Sequence, residues 1–95
     1  MEDGRKPIFR LEASVDDSTG RLVAAYLRVR AGEVAETKEI EEGVVYADYD
    51  LQGALLGIDL LGPCQIAVLD RIAKSEPEPV KRFLTGGVPR ELVPA

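Results

Sequence analysis

The sequence predicts an α+β fold: an antiparallel β-meander of about five strands followed by one or two short C-terminal helices. Three observations predict it. Apolar and polar residues alternate with a period of two, in short runs, from position 8 to position 61. Those runs are separated by clusters of Gly, Asp, Ser and Thr suited to turns. Helical spacing of apolar residues takes over only after Gly62-Pro63. The 95 residues make one domain, and 45% hydrophobic content is that of a globular chain.

The elements follow in order. Residues 1–7 are polar and are expected to be flexible. From Ile8 to Val15, Phe9, Leu11, Ala13 and Val15 alternate with Arg10, Glu12 and Ser14, the pattern of a half-buried strand. Asp16-Asp17-Ser18-Thr19-Gly20 is a turn, with its aspartates as capping groups. Arg21 to Arg30 places Val23, Ala25, Leu27 and Val29 on one face and Leu22, Ala24, Tyr26 and Arg28 on the other. That segment also fits helical spacing, but its β-branched residues and flanking turns favour a strand. After Ala31-Gly32, Glu33 to Glu41 carries only Val34 and Ile40 as large apolar residues, and its charges suit a sheet edge. Glu41-Glu42-Gly43 turns the chain into the most apolar stretch, Val44 to Leu61.

That stretch reads as a hairpin about Asp50-Leu51-Gln52-Gly53. Pairing Tyr49 with Ala54 collects Val45, Ala47, Tyr49, Leu56 and Ile58 on one buried face and Asp48 with Asp59 on the other. A type I turn followed by a glycine bulge gives the register slipped by one, and both registers stand at this point. The second face also holds Val44, Tyr46, Leu55 and Leu61, so the pair is expected to be covered on both sides, by helices or by a second subunit. Pro63 to Lys74 is expected to be a helix burying Ile66, Leu69, Ile72 and Ala73, with Asp70 and Arg71 facing water. Ser75 and Glu78 have capping-box spacing for a second helix. That helix would bury Val80, Phe83 and Leu84 and end at Gly86 or Gly87. The helical part thus spans residues 63–85, and residues 86–95 form a tail with two prolines.

Composition narrows the function. A net charge of −5 argues against a general nucleic-acid binder, and the scatter of Lys81, Arg82 and Arg90 is too thin for a phosphate footprint. No apolar run approaches the roughly 20 residues that span a bilayer, and the charged start lacks a secretory pattern, so a cytoplasmic location without membrane association is expected. The chain has one cysteine and no histidine. Cys64 therefore reads as a small buried residue, not an activated nucleophile. Gly86-Gly87 lacks the Lys and Ser/Thr of a phosphate loop, and no cofactor is implied. The carboxylates are the remaining candidates for chemistry. Asp48 and Asp59 on one face could hold Mg²⁺ or Ca²⁺ or act as an acid/base pair. The plainer reading pairs them with Arg28 or another cation and leaves Asp16, Asp17 and Asp50 as turn caps.

About half of the chain also carries a likeness. Ala24-Ala25-Tyr26-Leu27-Arg28-Val29, Val34-Ala35-Glu36-Thr37 and Gly43-Val44-Val45 come first. Asp48-Tyr49-Asp50, Gly53 and Leu56-Gly57-Ile58-Asp59-Leu60-Leu61 continue it without gaps. From about Val15 to Leu61 the sequence resembles the bacterial family of small proteins called domain of unknown function 2283. Val15 stands where that family has a tyrosine, Val23 where it often has an aspartate, and Pro63 to Ala95 lies outside the likeness. The resemblance implies a fold of this kind and a partner protein, as an antitoxin pairs with a toxin.

The functional expectation is therefore a non-enzymatic protein–protein interaction domain that forms a homodimer. Tyr26, Tyr46, Leu55 and Leu61 are its candidate interface residues, and the segment from Glu76 onward is a candidate for folding onto a partner. The alternative is a carboxylate-based metal- or ligand-binding enzyme using the Asp48/Asp59 face.

Overall fold

The alternating segments form strands because each can bury one row of side chains against a common core. In a computed structural model, described from Pro7 to Val93, they are β1 (Arg10–Val15), β2 (Leu22–Arg28), β3 (Glu36–Glu41), β4 (Val45–Tyr49) and β5 (Leu55–Leu60). Helices α1 (Ile66–Ala73) and α2 (Glu78–Gly86) follow, then a 3₁₀ turn at Arg90–Leu92. Residues 1–6, where a flexible start was expected, lie outside the described residues. The five strands make one sheet in the order β1-β2-β5-β4-β3, every pair antiparallel. The link from β2 to β3 crosses to the far edge, and the β3-β4-β5 meander returns to close against β2. This is the α+β architecture expected.

The central hairpin corrects its first register in an instructive way. Gly53 takes φ +86° and its N–H donates to the carbonyl of Asp50, which makes the turn a type I turn with a glycine bulge. Tyr49 then pairs with Leu55, not Ala54. That slip alone would turn Gly57 and Asp59 into the core. A second bulge opposite the Asp48/Tyr49 step absorbs Leu56 and restores the alternation, so that Ala47 pairs with Ile58 and Val45 with Leu60. Leu55, Ile58 and Leu60 consequently face the core, whereas Leu56 is fully buried yet outside the core cluster.

Both helices lie on that core face. Leu69, Ala73, Val80 and Leu84 pack with Ala25, Leu27, Val29, Val45 and Ala47. α1 begins at Ile66 and not at Pro63, and Ile66 is exposed while Val68 takes the buried place. The Ser75 capping box does not form: α2 starts after Pro77 with no side-chain cap, and Pro79 sits in its first turn, where a missing N–H costs nothing. Gly87 ends α2 as expected, its N–H donating to Phe83. The segment beyond is no free tail. Val88 and Leu92 are buried, and Leu92 accepts from the Cys64 N–H through its carbonyl at 2.8 Å. The segment from Glu76 to Val93, the candidate for folding onto a partner, is already packed on the chain's own core. Glu76 itself forms an ion pair with the buried Arg30 at 2.9 Å, and Arg30 also donates to the Leu55 carbonyl.

Candidate functional site

The face of the sheet away from the helices is built by alternation. Residues between the core positions of β2, β4 and β5 are Tyr26, Arg28, Tyr46, Asp48, Gly57 and Asp59. Because β5 lies between β2 and β4, Asp59 is flanked directly by Tyr26 on one strand and Tyr46 on the other. Asp48 sits opposite Gly57, one diagonal step from Asp59, so the two aspartates share the face as the sequence indicated.

Their environments differ. Asp48 accepts from the Tyr26 hydroxyl at 3.0 Å and from the Thr37 hydroxyl of β3 at 2.6 Å, one on each carboxylate oxygen. Asp59 forms no hydrogen bond or ion pair among the described residues, and burial together with the charge of Asp48 holds its carboxyl above the ordinary range. Burial also raises the Tyr26 hydroxyl, and the hydrogen bond to Asp48 adds to it. Tyr46 donates to Glu39 at 2.8 Å, which keeps Glu39 low together with the Gly43 N–H. Arg28 does not pair with either aspartate: its guanidinium donates to the carbonyls of Arg30 and Gly32. The cation expected beside Asp48 is replaced by two hydroxyls.

Gly57 is the seat of this arrangement. A Cβ there would collide with the Tyr26 hydroxyl and lie 2.9 Å from the Leu27 carbonyl, so Tyr26 can lie across the strand only because position 57 has no side chain. A shallow hollow of about 440 Å³ beside Tyr26 is lined by Ile8, Arg10, Glu12, Arg28 and Gly32. Among the described residues, no group of three or more His, Cys, Asp or Glu side chains gathers in the manner of a metal site.

The other candidates separate. Tyr26 and Tyr46 are half-buried on the open face. Leu55 is 2% exposed in the core and has no surface to offer a partner. Leu61 is 51% exposed, at the mouth of a groove of about 680 Å³ lined by Leu22, Val23, Pro63 and Leu92. Cys64 is buried, and burial raises its thiol. Asp16 and Asp50 act as turn caps, Asp16 accepting from Ser18 and Thr19 and Asp50 from Gln52 and Ala54. No helix among the described residues is long and apolar enough to cross a membrane.

One surface was missed. All six residues of β1 are exposed, because the helices reach only as far as Phe83 of α2, whose ring stands 5.0 Å from Phe9. Leu11 and Ala13 pair with the core residues Leu27 and Ala25 and so belong to the helix side of the sheet, yet both are exposed among the described residues. Leu11 is 42% exposed, Phe9 47% and Val15 56%. The signal in the sequence was the alternation itself; it marks a strand that needs cover without saying whether the chain supplies it.

Searches against family models, curated proteins and solved structures return no match for this chain.

Proposed function

We propose that this protein is a non-enzymatic protein–protein interaction domain, cytoplasmic and working as a homodimer. The observation that supports it is β1, an edge strand whose apolar row of Leu11, Ala13 and Val15 is exposed among the described residues. Apolar rows on a sheet edge are stabilised by a partner and are a liability without one. The open face adds Tyr26 and Tyr46, residues that combine large contact area with a polar tip. In line with the resemblance to domain of unknown function 2283, the dimer would hold a further protein as an antitoxin holds its toxin.

Native mass spectrometry of protein purified gently from its own host tests this, since it reads subunit number and retained molecules together. A dimer, alone or with a second protein attached, is the expected result. A monomer carrying only a small-molecule or metal mass would overturn it.

A specific observation favours one rival, a carboxylate-based ligand- or cation-binding enzyme. Asp59 is a half-buried carboxyl with a raised pKa beside Asp48, and it makes no hydrogen bond or ion pair among the described residues. That reading requires Mg²⁺ or Ca²⁺ to raise the melting temperature, and requires Asp48→Asn with Asp59→Asn to abolish the rise. Melting curves indifferent to both ions would end it.

A further inference from the structure

The two edges of the sheet are not alike. β3 carries the devices that keep a free edge from pairing. Lys38 sits in its core-side row, opposite Ala47, with its ammonium 5.0 Å from the Tyr49 ring, and a bulge at the Glu39/Glu41 step breaks the strand's own backbone. β1 has neither. Its charges, Arg10 and Glu12, are on the open face, its core-side row is apolar, and the bulge near its end places the extra residue, Val23, in β2. At its two ends Ile8 and Asp16 turn their N–H groups inward, to Val29 and Arg21. By alternation the N–H and C=O groups of Phe9, Leu11 and Ala13 point outward, away from β2.

Resting on the reading above, we propose that a second copy of this chain pairs with β1 antiparallel about a two-fold axis at Leu11, joining two sheets into one. A symmetric pairing must keep each row on its own face, so the axis passes through a residue, and the centres that pair most of the strand are Leu11, Glu12 and Ala13. Centring on Glu12 sets Glu12 against its own copy, two like charges face to face. Centring on Ala13 sets Arg10 against Asp16, whose carboxylate is already engaged by Ser18 and Thr19. Centring on Leu11 sets Arg10 against Glu12 twice, Leu11 against Leu11, and the bulky Phe9 against the small Ala13. Arg10 already faces Arg28 across β2, an unfavourable pair that a neighbouring Glu12 from the second copy relieves. With β3 guarded, the assembly closes at two chains instead of growing into a filament.

The test is a charge-swap series read by sedimentation across a dilution series. Arg10→Glu alone and Glu12→Arg alone each place like charges opposite one another, and each should weaken the dimer about tenfold or more. Mixing the two variants should give a tight heterodimer, because every Glu then faces an Arg; a folding defect could not be rescued in this way. Leu11→Pro should also yield a folded monomer, since the N–H it removes faces outward. A wild-type dimer indifferent to all of these overturns the β1 pairing while leaving the interaction domain standing. A wild-type chain that stays monomeric at every dilution overturns both.

Discussion

Gly57→Ala is the sharpest probe of how the open face is built. The added methyl would meet the Tyr26 ring carbon bearing the hydroxyl at 2.6 Å and the Leu27 carbonyl at 2.9 Å. The ring can swing away, but only by giving up the hydroxyl's bond to Asp48. The Leu27 carbonyl belongs to β2, which is paired to β5 here, so it cannot move without disturbing that pairing. Overpacking of this kind costs about 1–3 kcal/mol, and the lost hydrogen bond about 1 kcal/mol more. The sum, about 2–4 kcal/mol, should lower the melting temperature by roughly 10–25 °C in a domain of this size. Urea and thermal unfolding followed by circular dichroism measure it. Tyr26→Phe is the control: it removes the hydrogen bond but keeps most of the ring, and should cost only about 1 kcal/mol. Gly57→Ala in a Tyr26→Ala background should lose most of its additional cost, leaving what the Leu27 carbonyl imposes. A cost for Gly57→Ala below about 0.5 kcal/mol, in the range of ordinary surface changes, would refute the claim that Tyr26 needs the bare strand.

Three further outcomes follow from the same geometry. Leu92→Ala should destabilise by about 2–5 kcal/mol, because that side chain is 1% exposed in the core; a negligible change in urea midpoint would mean the last turn is not docked. Asp59→Asn should raise the melting temperature at neutral pH. The folded-state pKa of Asp59 is raised, so its ionisation opposes folding and stability drops as pH climbs from the ordinary carboxylate value through the folded one. The advantage of the variant should therefore vanish below the ordinary carboxylate range, and a gap that widens on acidification would contradict the assignment. Glu76→Gln should cost about 1–3 kcal/mol through its charge-assisted contact with buried Arg30; unchanged unfolding curves would show that the pair does not hold α2 to the sheet.

What the sequence could show depended on whether a feature is local. Strand identity is local: Phe9, Leu11 and Ala13, or Val45 and Ala47, announce their rows by spacing alone. Gly87 announces the end of α2 in the same way. Register across the central hairpin is less local. Two bulges, at Gly53 and Leu56, cancel in their effect on Asp59 but not on Leu55, which is why the aspartates were placed on the right face and Leu55 on the wrong one. Thr37 was hidden for the same reason. Counting back from the Glu42-Gly43 turn misses its position opposite Asp48 by one residue, because the bulge at Ile40 intervenes. The pairing of β2 with β5, which brings Tyr26 to Asp59, joins strands far apart in the chain, and no short-range pattern specifies it.

The contrast between face and edge then decides where association is more readily accommodated. The open face already satisfies much of its polar surface internally: Tyr26 and Thr37 occupy Asp48, Glu39 occupies Tyr46, and backbone carbonyls occupy Arg28. A partner landing there must replace bonds that exist. The β1 edge has no such bonds to break. Among the described residues nothing bonds its outward N–H and C=O groups, and its apolar row is exposed, so pairing would add backbone bonds and remove apolar surface in the same step. The hairpin lends the core Val45, Ala47, Leu55, Ile58 and Leu60; β1, exposed along its whole length, lends it none, so pairing there would add burial without disturbing what the core already holds.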